Sequence, residues 1–256
     1  MLGMPATTQF DLNFRLLGIP VRINPFFWVM AAVLGWGGRD TDGLEVVVWV
    51  ACVFVSILVH EFGHGLTARA FTRQQPAIVL YAMGGLCFSD QERISPWKRL
   101  GVILMGPGAG FLLFALVATI EATFLGSINF GPFRVYFHDA PAWANHLIYA
   151  AFANLLWINL FWGIFNLFPI FPLDGGQAAQ TLLSMQNRQR AASRTYILSM
   201  VTAGLLAVVL YQQTGEPLNS LFVGYLGLIN FQLYQASQFQ AGSRGAWDDD
   251  EDWWKR

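Results

Sequence analysis

Hydrophobic and polar positions fall into long blocks along this chain. Residues 8–24, TQFDLNFRLLGIPVRIN, alternate in part and are broken by Gly18 and Pro20, which predicts a short strand or an interfacial segment. The apolar run from Pro25 to Trp36 is short for a membrane span and crosses only if flanking residues are recruited. The next run, Leu44 to Phe71, is about 28 residues, or ~42 Å at helical rise. That exceeds a ~30 Å hydrocarbon core, so one end is expected to project into water. Residues 72–98 form a polar connection containing Gly84-Gly85 and Pro96. A third span is expected over Leu100–Leu125, interrupted by Gly106-Pro107-Gly108, and a fourth over Trp143–Phe168. The fourth stops at Pro169-Ile170-Phe171-Pro172, with Asp174-Gly175-Gly176 close behind and a short amphipathic helix to Gln189. Fifth and sixth spans follow over Tyr196–Tyr211 and Leu218–Tyr234, and no internal repeat is visible. The pattern predicts an all-α membrane protein of about six transmembrane helices with short membrane-associated β segments.

Composition agrees. Hydrophobic residues make up 55% of the 256 positions and charged residues 12%, about half the share usual in soluble domains. Mean hydropathy is +0.44. A net charge of −1 gives no electrostatic case for nucleic acid. Cys52 and Cys87 sit in apolar stretches and form neither a disulfide framework nor a metal-binding pair. The first residues lack the basic flank and apolar core of a cleaved leader, so the first spans are expected to be retained.

Charge placement orients the expected spans. Arg15, Arg22, Arg69, Arg73, Arg93, Lys98, Arg99, Arg188, Arg190, Arg194, Arg244, Lys255 and Arg256 fall on one side of a six-span topology, and only Arg39 and Arg134 on the other. The positive-inside rule places both termini in the cytoplasm.

His60-Glu61-Phe62-Gly63-His64 is an HExxH motif inside the second apolar run. The histidines are four positions apart, so both imidazoles share a helix face and can bind one metal. Glu61 beside them can take a proton from a metal-activated water. Three fixed residues at this spacing arise by chance in a chain of this length on the order of one per cent of the time. Ionisable groups inside a span are costly and functional by default, and a metal compensates that cost. Catalytic zinc takes three protein ligands, so a third must come from elsewhere. By the charge count, His138 and His146 lie in or near a loop on the far side of the membrane. Asp174 follows the cytoplasmic end of the fourth span, which is the correct side. Two roles stay open for it on topology alone: third ligand, or cap of the following short helix.

HEFGH and, about 110 residues later, NLFPIFPLDGG (Asn166 to Gly176) together resemble the site-2 protease family of intramembrane zinc metalloproteases. The resemblance covers roughly residues 9–190, including Gly84-Gly85 and Gly106-Pro107. It implies that His60, His64 and Asp174 hold one Zn2+ per chain and that Glu61 is the general base. It further implies a substrate or oxyanion contact at Asn166, whose other reading is an interhelical hydrogen bond. The segment Tyr81–Phe88, with Gly84 and Gly85, resembles the family's membrane-associated hairpin, whose strand edge could bind an extended substrate; a plain glycine-rich turn is the other reading. Gly110 stands where the family often has asparagine; the role of that residue is either lost or taken by Asn154 or Asn159 in the fourth span, whose spacing puts them on no single helical face. The resemblance is to a minimal core without PDZ or CBS domains: one polytopic protease domain over 1–256, with a core of about 9–236 and an acidic, partly disordered cytoplasmic tail at 237–256. The plainest role for that tail is solubility, and Trp247, Trp253 and Trp254 could rest at a membrane interface.

The expected activity is zinc endopeptidase cleavage of transmembrane segments, that is, regulated intramembrane proteolysis. The expected partners are a single-pass or tethered membrane protein as substrate and the lipid bilayer, with the regulatory partner left open. The expected place is a bacterial plasma membrane. The competing reading is a metal-binding transporter or a non-catalytic scaffold of the same fold. The paucity of ionisable residues along the third span, where Glu121 stands alone near the outer end, argues against transport.

Overall fold

In the computed structural model, residues 7–36, 42–90, 94–130, 133–137, 141, 145–215 and 217–251 are described. They form two units, Met1–Phe165 and Asn166–Arg256.

The first unit opens with a hairpin of β1 (Leu12–Leu16) and β2 (Ile19–Ile23), the strand expected within 8–24. Leu17 and Gly18 both take positive φ at its turn. Helix α1 (Pro25–Gly35) follows, capped by Asn24 Oδ1 on the Phe26 N–H, with Pro25 in the first turn where its missing N–H costs nothing. Helix α2 (Gly43–Thr72) is capped by Asp42 and stopped by Arg73 in the left-handed region. It leads to a second hairpin, β3 (Ala77–Tyr81) and β4 (Gly84–Phe88). The sheet order is β1-β2-β3-β4, with β2 and β3 parallel and both hairpins antiparallel, so the two helices form the crossover between the parallel strands. Ile19, Val21, Ile23, Ile78 and Leu80 are buried and join Phe27, Val53, Ile57 and Phe62 in one apolar cluster. Strand β4 closes one edge of the sheet.

Helix α3 (Pro96–Leu125) starts at a Ser95 cap and ends at Gly126 in the left-handed region. The Gly106-Pro107-Gly108 triplet lies inside this helix and does not end it. Proline is tolerated within apolar helices when neighbours meet the freed backbone groups. A small hairpin, β5 (Ser127–Phe130) and β6 (Phe133–Tyr136), precedes α4 (His146–Asn166). Helix α4 is tied to α2 by a hydrogen bond from Asn159 Nδ2 to Ser56 Oγ at 2.9 Å. Such a bond inside an apolar bundle is worth about 1 kcal/mol.

The second unit holds α5 (Asp174–Gln186), α6 (Arg188–Thr214) and α7 (Pro217–Glu251). Asn187 ends α5 and caps α6, accepting from the N–H groups of Gln189 and Arg190. The expected acidic tail begins inside α7, and residues 252–256 lie outside the described residues.

Among the described residues, four helices are long and apolar enough to cross a membrane: α2, α3, α4, and α6 over Arg188–Gln213. The first expected span is α1, whose 11 residues reach only about 16 Å. The sixth lies in α7, which is not among the four. Polarity is inverted relative to a water-soluble protein. Leu112, Leu205 and Leu221 are 67%, 66% and 68% exposed, whereas Glu61 and Glu121 are 5% and 0% exposed. Apolar side chains facing out over whole helices match a lipid surrounding.

Candidate metal centre

The face of α2 that carries Ser56, His60 and His64 is buried, and Glu61 is buried beside it. The two imidazoles meet edge to face, with centroids 4.9 Å apart and planes at 80°. His64 Nδ1 lies 2.8 Å from the Val102 carbonyl oxygen on α3. A carbonyl oxygen only accepts, so Nδ1 carries the proton and Nε2 keeps its lone pair. That Nε2 is 3.2 Å from His60 Nε2. Two nitrogens bound tetrahedrally to one zinc at ~2.05 Å lie about 3.3 Å apart. The pair is therefore spaced as two ligands of a single ion.

Glycine makes the room. A Cβ at Gly106 would fall on the His64 imidazole, and one at Gly63 would strike the Met105 carbonyl. Helices α2 and α3 thus cross at near backbone contact where the histidines emerge, the packing that small residues permit. A Cβ at Gly85 would overlap the carboxylate end of Glu61. Strand β4 therefore lies backbone-first against that glutamate. Gly84, at φ +122°, takes a conformation that favours glycine, and a Cβ there would sit 3.5 Å from the Trp162 ring. The Tyr81 phenol and the Cys87 thiol on this hairpin are both pushed up, first by burial and second by the negative charge of Glu61.

Asp174 is the first helical residue of α5 and is buried. The N-cap of α5 is Leu173, and Asp174 stands one position inside the helix. A Cβ at Gly175 would strike the Leu167 carbonyl, and one at Gly176 the backbone of Ile170 and Phe171. The chain doubles back on itself before the aspartate. Asp174 thus supplies a buried carboxylate at the start of the first helix of the second unit.

The other residues singled out in the sequence fall as follows. Asn166 is buried at the end of α4. His146 is exposed at the opposite end of that helix, and His138 lies outside the described residues. A Cβ at Gly110 would sit 3.6 Å from Asn159 Oδ1, so the position facing that glycine is occupied by an amide. Two contributors were not legible as such: the Val102 carbonyl, which no side-chain pattern marks, and Gly63, hidden inside the motif. Gly106 was visible only as half of a Gly-Pro pair.

Long apolar helices around a buried pair of histidines define an integral membrane protein with a candidate metal centre. The family model of peptidase family M50 matches residues 48–128 and 123–210, and the chain belongs to that family. It is 30% identical over 198 residues to a putative zinc metalloprotease of Synechocystis sp., covering 72% of this chain and 48% of the relative. It is 26% identical over 203 residues to a zinc metalloprotease of Methanocaldococcus jannaschii, covering 76% and 54%. Stage IV sporulation protein FB of Bacillus subtilis is 26% identical over 170 residues, covering 66% and 49%. The chain spans about half the length of the curated relatives it matches. Among solved structures, the site-2 protease from Methanocaldococcus jannaschii shares the fold, with a TM-score of 0.54, 20% identity, and coverage of 90% of this chain and 94% of that one.

Proposed function

We propose that this chain is an intramembrane zinc endopeptidase that hydrolyses peptide bonds in membrane-spanning segments of other proteins. The observation that carries the reading is the 3.2 Å approach of two histidine Nε2 atoms with the proton of one ring committed to a carbonyl. His60, His64 and Asp174 hold the ion, one per chain. Two neutral imidazoles and a carboxylate suit zinc, and three protein ligands leave one position open, as catalytic sites require. When bound, zinc supplies Lewis acidity, polarising the scissile carbonyl and making water nucleophilic near neutral pH.

Glu61 takes the proton from the attacking water and returns it to the leaving amine. Its burial against the Gly85 backbone fixes the carboxylate and excludes bulk water. A helical substrate shields its peptide bonds and must unwind before attack. Strand β4, at the sheet edge and against Glu61, can pair with the unwound segment through main-chain hydrogen bonds. Asn166 then contacts the substrate or the developing oxyanion. Glu61→Gln is expected to retain zinc while slowing cleavage of a membrane-embedded reporter by at least ~100-fold. Wild-type cleavage by that variant would remove Glu61 from the role.

The chain crosses the membrane about six times, with α7 adding a span and α1 recruiting its flanks. Both termini lie in the cytoplasm, and cleavage occurs towards that side. The support is the placement of Lys and Arg along the chain. The transport alternative has little behind it. Glu121, the charged residue near the outer end of α3, is engaged by the Asn129 backbone N–H and by its amide at 2.6 Å, which ties it to the β5 segment.

A further inference from the structure

The segment between α4 and α5 has no regular structure, yet it adjoins helices of membrane-spanning character. Its peptide groups must find partners within the protein. Several do so locally. Ile170 N–H donates to the Phe168 carbonyl and Leu173 N–H to the Ile170 carbonyl, at 2.7 and 2.8 Å. Gln177 Nε2 donates to the Pro172 carbonyl at 3.0 Å. Phe171 is different. Its N–H donates to Ser199 Oγ on α6 at 2.9 Å, and its carbonyl accepts from Asn230 Nδ2 on α7 at 2.5 Å. Its ring stands edge-on to Tyr196, one turn before Ser199. Two helices grip both polar groups of one residue, three positions before Asp174.

Ser199 and Asn230 are each 0% exposed. A polar side chain so placed in an apolar helix usually bonds to a neighbouring helix and serves as glue. Asn230 does not. Its amide donates to the Phe171 carbonyl and to the Leu226 carbonyl of its own helix, and its Oδ1 has no partner among the described residues. Ser199 donates to the Thr195 carbonyl of its own helix and turns its lone pair to Phe171. Beyond the bond each makes within its own helix, both side chains engage the loop.

From this geometry we infer that Ser199 and Asn230 are positioning residues that set Asp174 for metal binding by clamping the Phe171 peptide. The inference rests on the reading of Asp174 as a zinc ligand. The loop is short, and Gly175 and Gly176 pack on the backbone of Leu167, Ile170 and Phe171. A shift of Phe171 is therefore passed to the first turn of α5 and to Asp174. Helices α6 and α7, which carry none of the motif residues, acquire a role at the metal centre.

The test is a zinc dissociation constant for the full chain in detergent, read by competition with a chromogenic chelator. Asn230→Leu removes the carbonyl's donor and Ser199→Ala removes the acceptor of the N–H. Each is expected to weaken zinc by about 10–100-fold, the usual loss when a group orienting a ligand is removed. Ser199→Thr, which keeps the hydroxyl, is expected to stay within about threefold of wild type. In an Asp174→Ala background, Asn230→Leu should add less than about threefold, because its effect passes through the aspartate. If Asp174→Ala weakens zinc while Asn230→Leu and Ser199→Ala bind as wild type, the clamp is overturned and the ligand assignment stands. The clamp is likewise overturned if Asn230→Leu costs its full factor again on top of Asp174→Ala. If Asp174→Ala binds zinc as wild type does, the ligand assignment falls and the clamp falls with it.

Discussion

At the scale of single residues, the centre depends as much on missing atoms as on ligands. Gly106 and Gly85 face different functional groups, the His64 ring and the Glu61 carboxylate, so their alanine variants should separate two defects. Gly106→Ala pushes His64 from the Val102 carbonyl, and zinc affinity is expected to fall at least ~10-fold by chelator competition. Gly85→Ala displaces the Glu61 carboxylate, the proposed base, and leaves the proposed ligands in place. Its expected signature is wild-type zinc content with cleavage slowed about 10–100-fold in a reporter assay. Cys87 offers a chemical readout of the same carboxylate. Its thiol is pushed up by burial and by Glu61, so alkylation near pH 8 should be slow. Glu61→Gln should accelerate it by removing the charge, as followed by mass spectrometry of the labelled protein; an unchanged rate would place burial alone in control. The histidine pair and its glutamate were legible in the sequence because helical spacing of four fixes a shared face. The orienting carbonyl of Val102 was not, since any residue type supplies one.

At the scale of elements, partial alternation over 8–24 marked a short strand or interfacial segment where two strands stand, and the hairpin around Gly84-Gly85 was legible only through the family resemblance. Their assembly into one sheet through the parallel β2–β3 pair was not, because it depends on a crossover of about fifty residues whose return point no local signal marks. Helix α1 shows the limit of an apolar run as a signal: it marks burial or lipid contact, whereas crossing also needs length. The clamp of Ser199 and Asn230 on Phe171 was equally hidden. Each residue alone looks like a tolerated polar position in a span, and the meaning lies in the peptide that they share. The N-terminal hairpin allows a test by pH. Thr8 Oγ1 donates to Asp11 at 2.7 Å and Arg22 lies 3.5 Å from its carboxylate. Chiefly through the Thr8 bond, the Asp11 carboxyl is held below its ordinary value of 3.8. The folded carboxylate resists protonation more than the unfolded one, so its stabilisation is present above about pH 3.8 and is lost as pH falls through the lower folded value. Amide-exchange protection of β1 and β2 is expected to drop over that acid range, and to be insensitive there in Asp11→Asn.

At the scale of the molecule, the proposed topology places the centre of this M50 family chain near the cytoplasmic face. Reporter fusions after Gln75 and after Arg194 should both read as cytoplasmic, and fusions after Arg39 and Arg134 as external. A reversed pattern would place the centre at the other leaflet. The most direct test of the central claim is X-ray absorption at the zinc edge of detergent-purified protein. The account predicts one zinc with a shell of nitrogen and oxygen at about 2.0–2.1 Å, outer scattering from two imidazoles, and loss of one imidazole's contribution in His60→Ala. A sulfur shell near 2.3 Å, or a zinc signal without imidazole scattering, would contradict it.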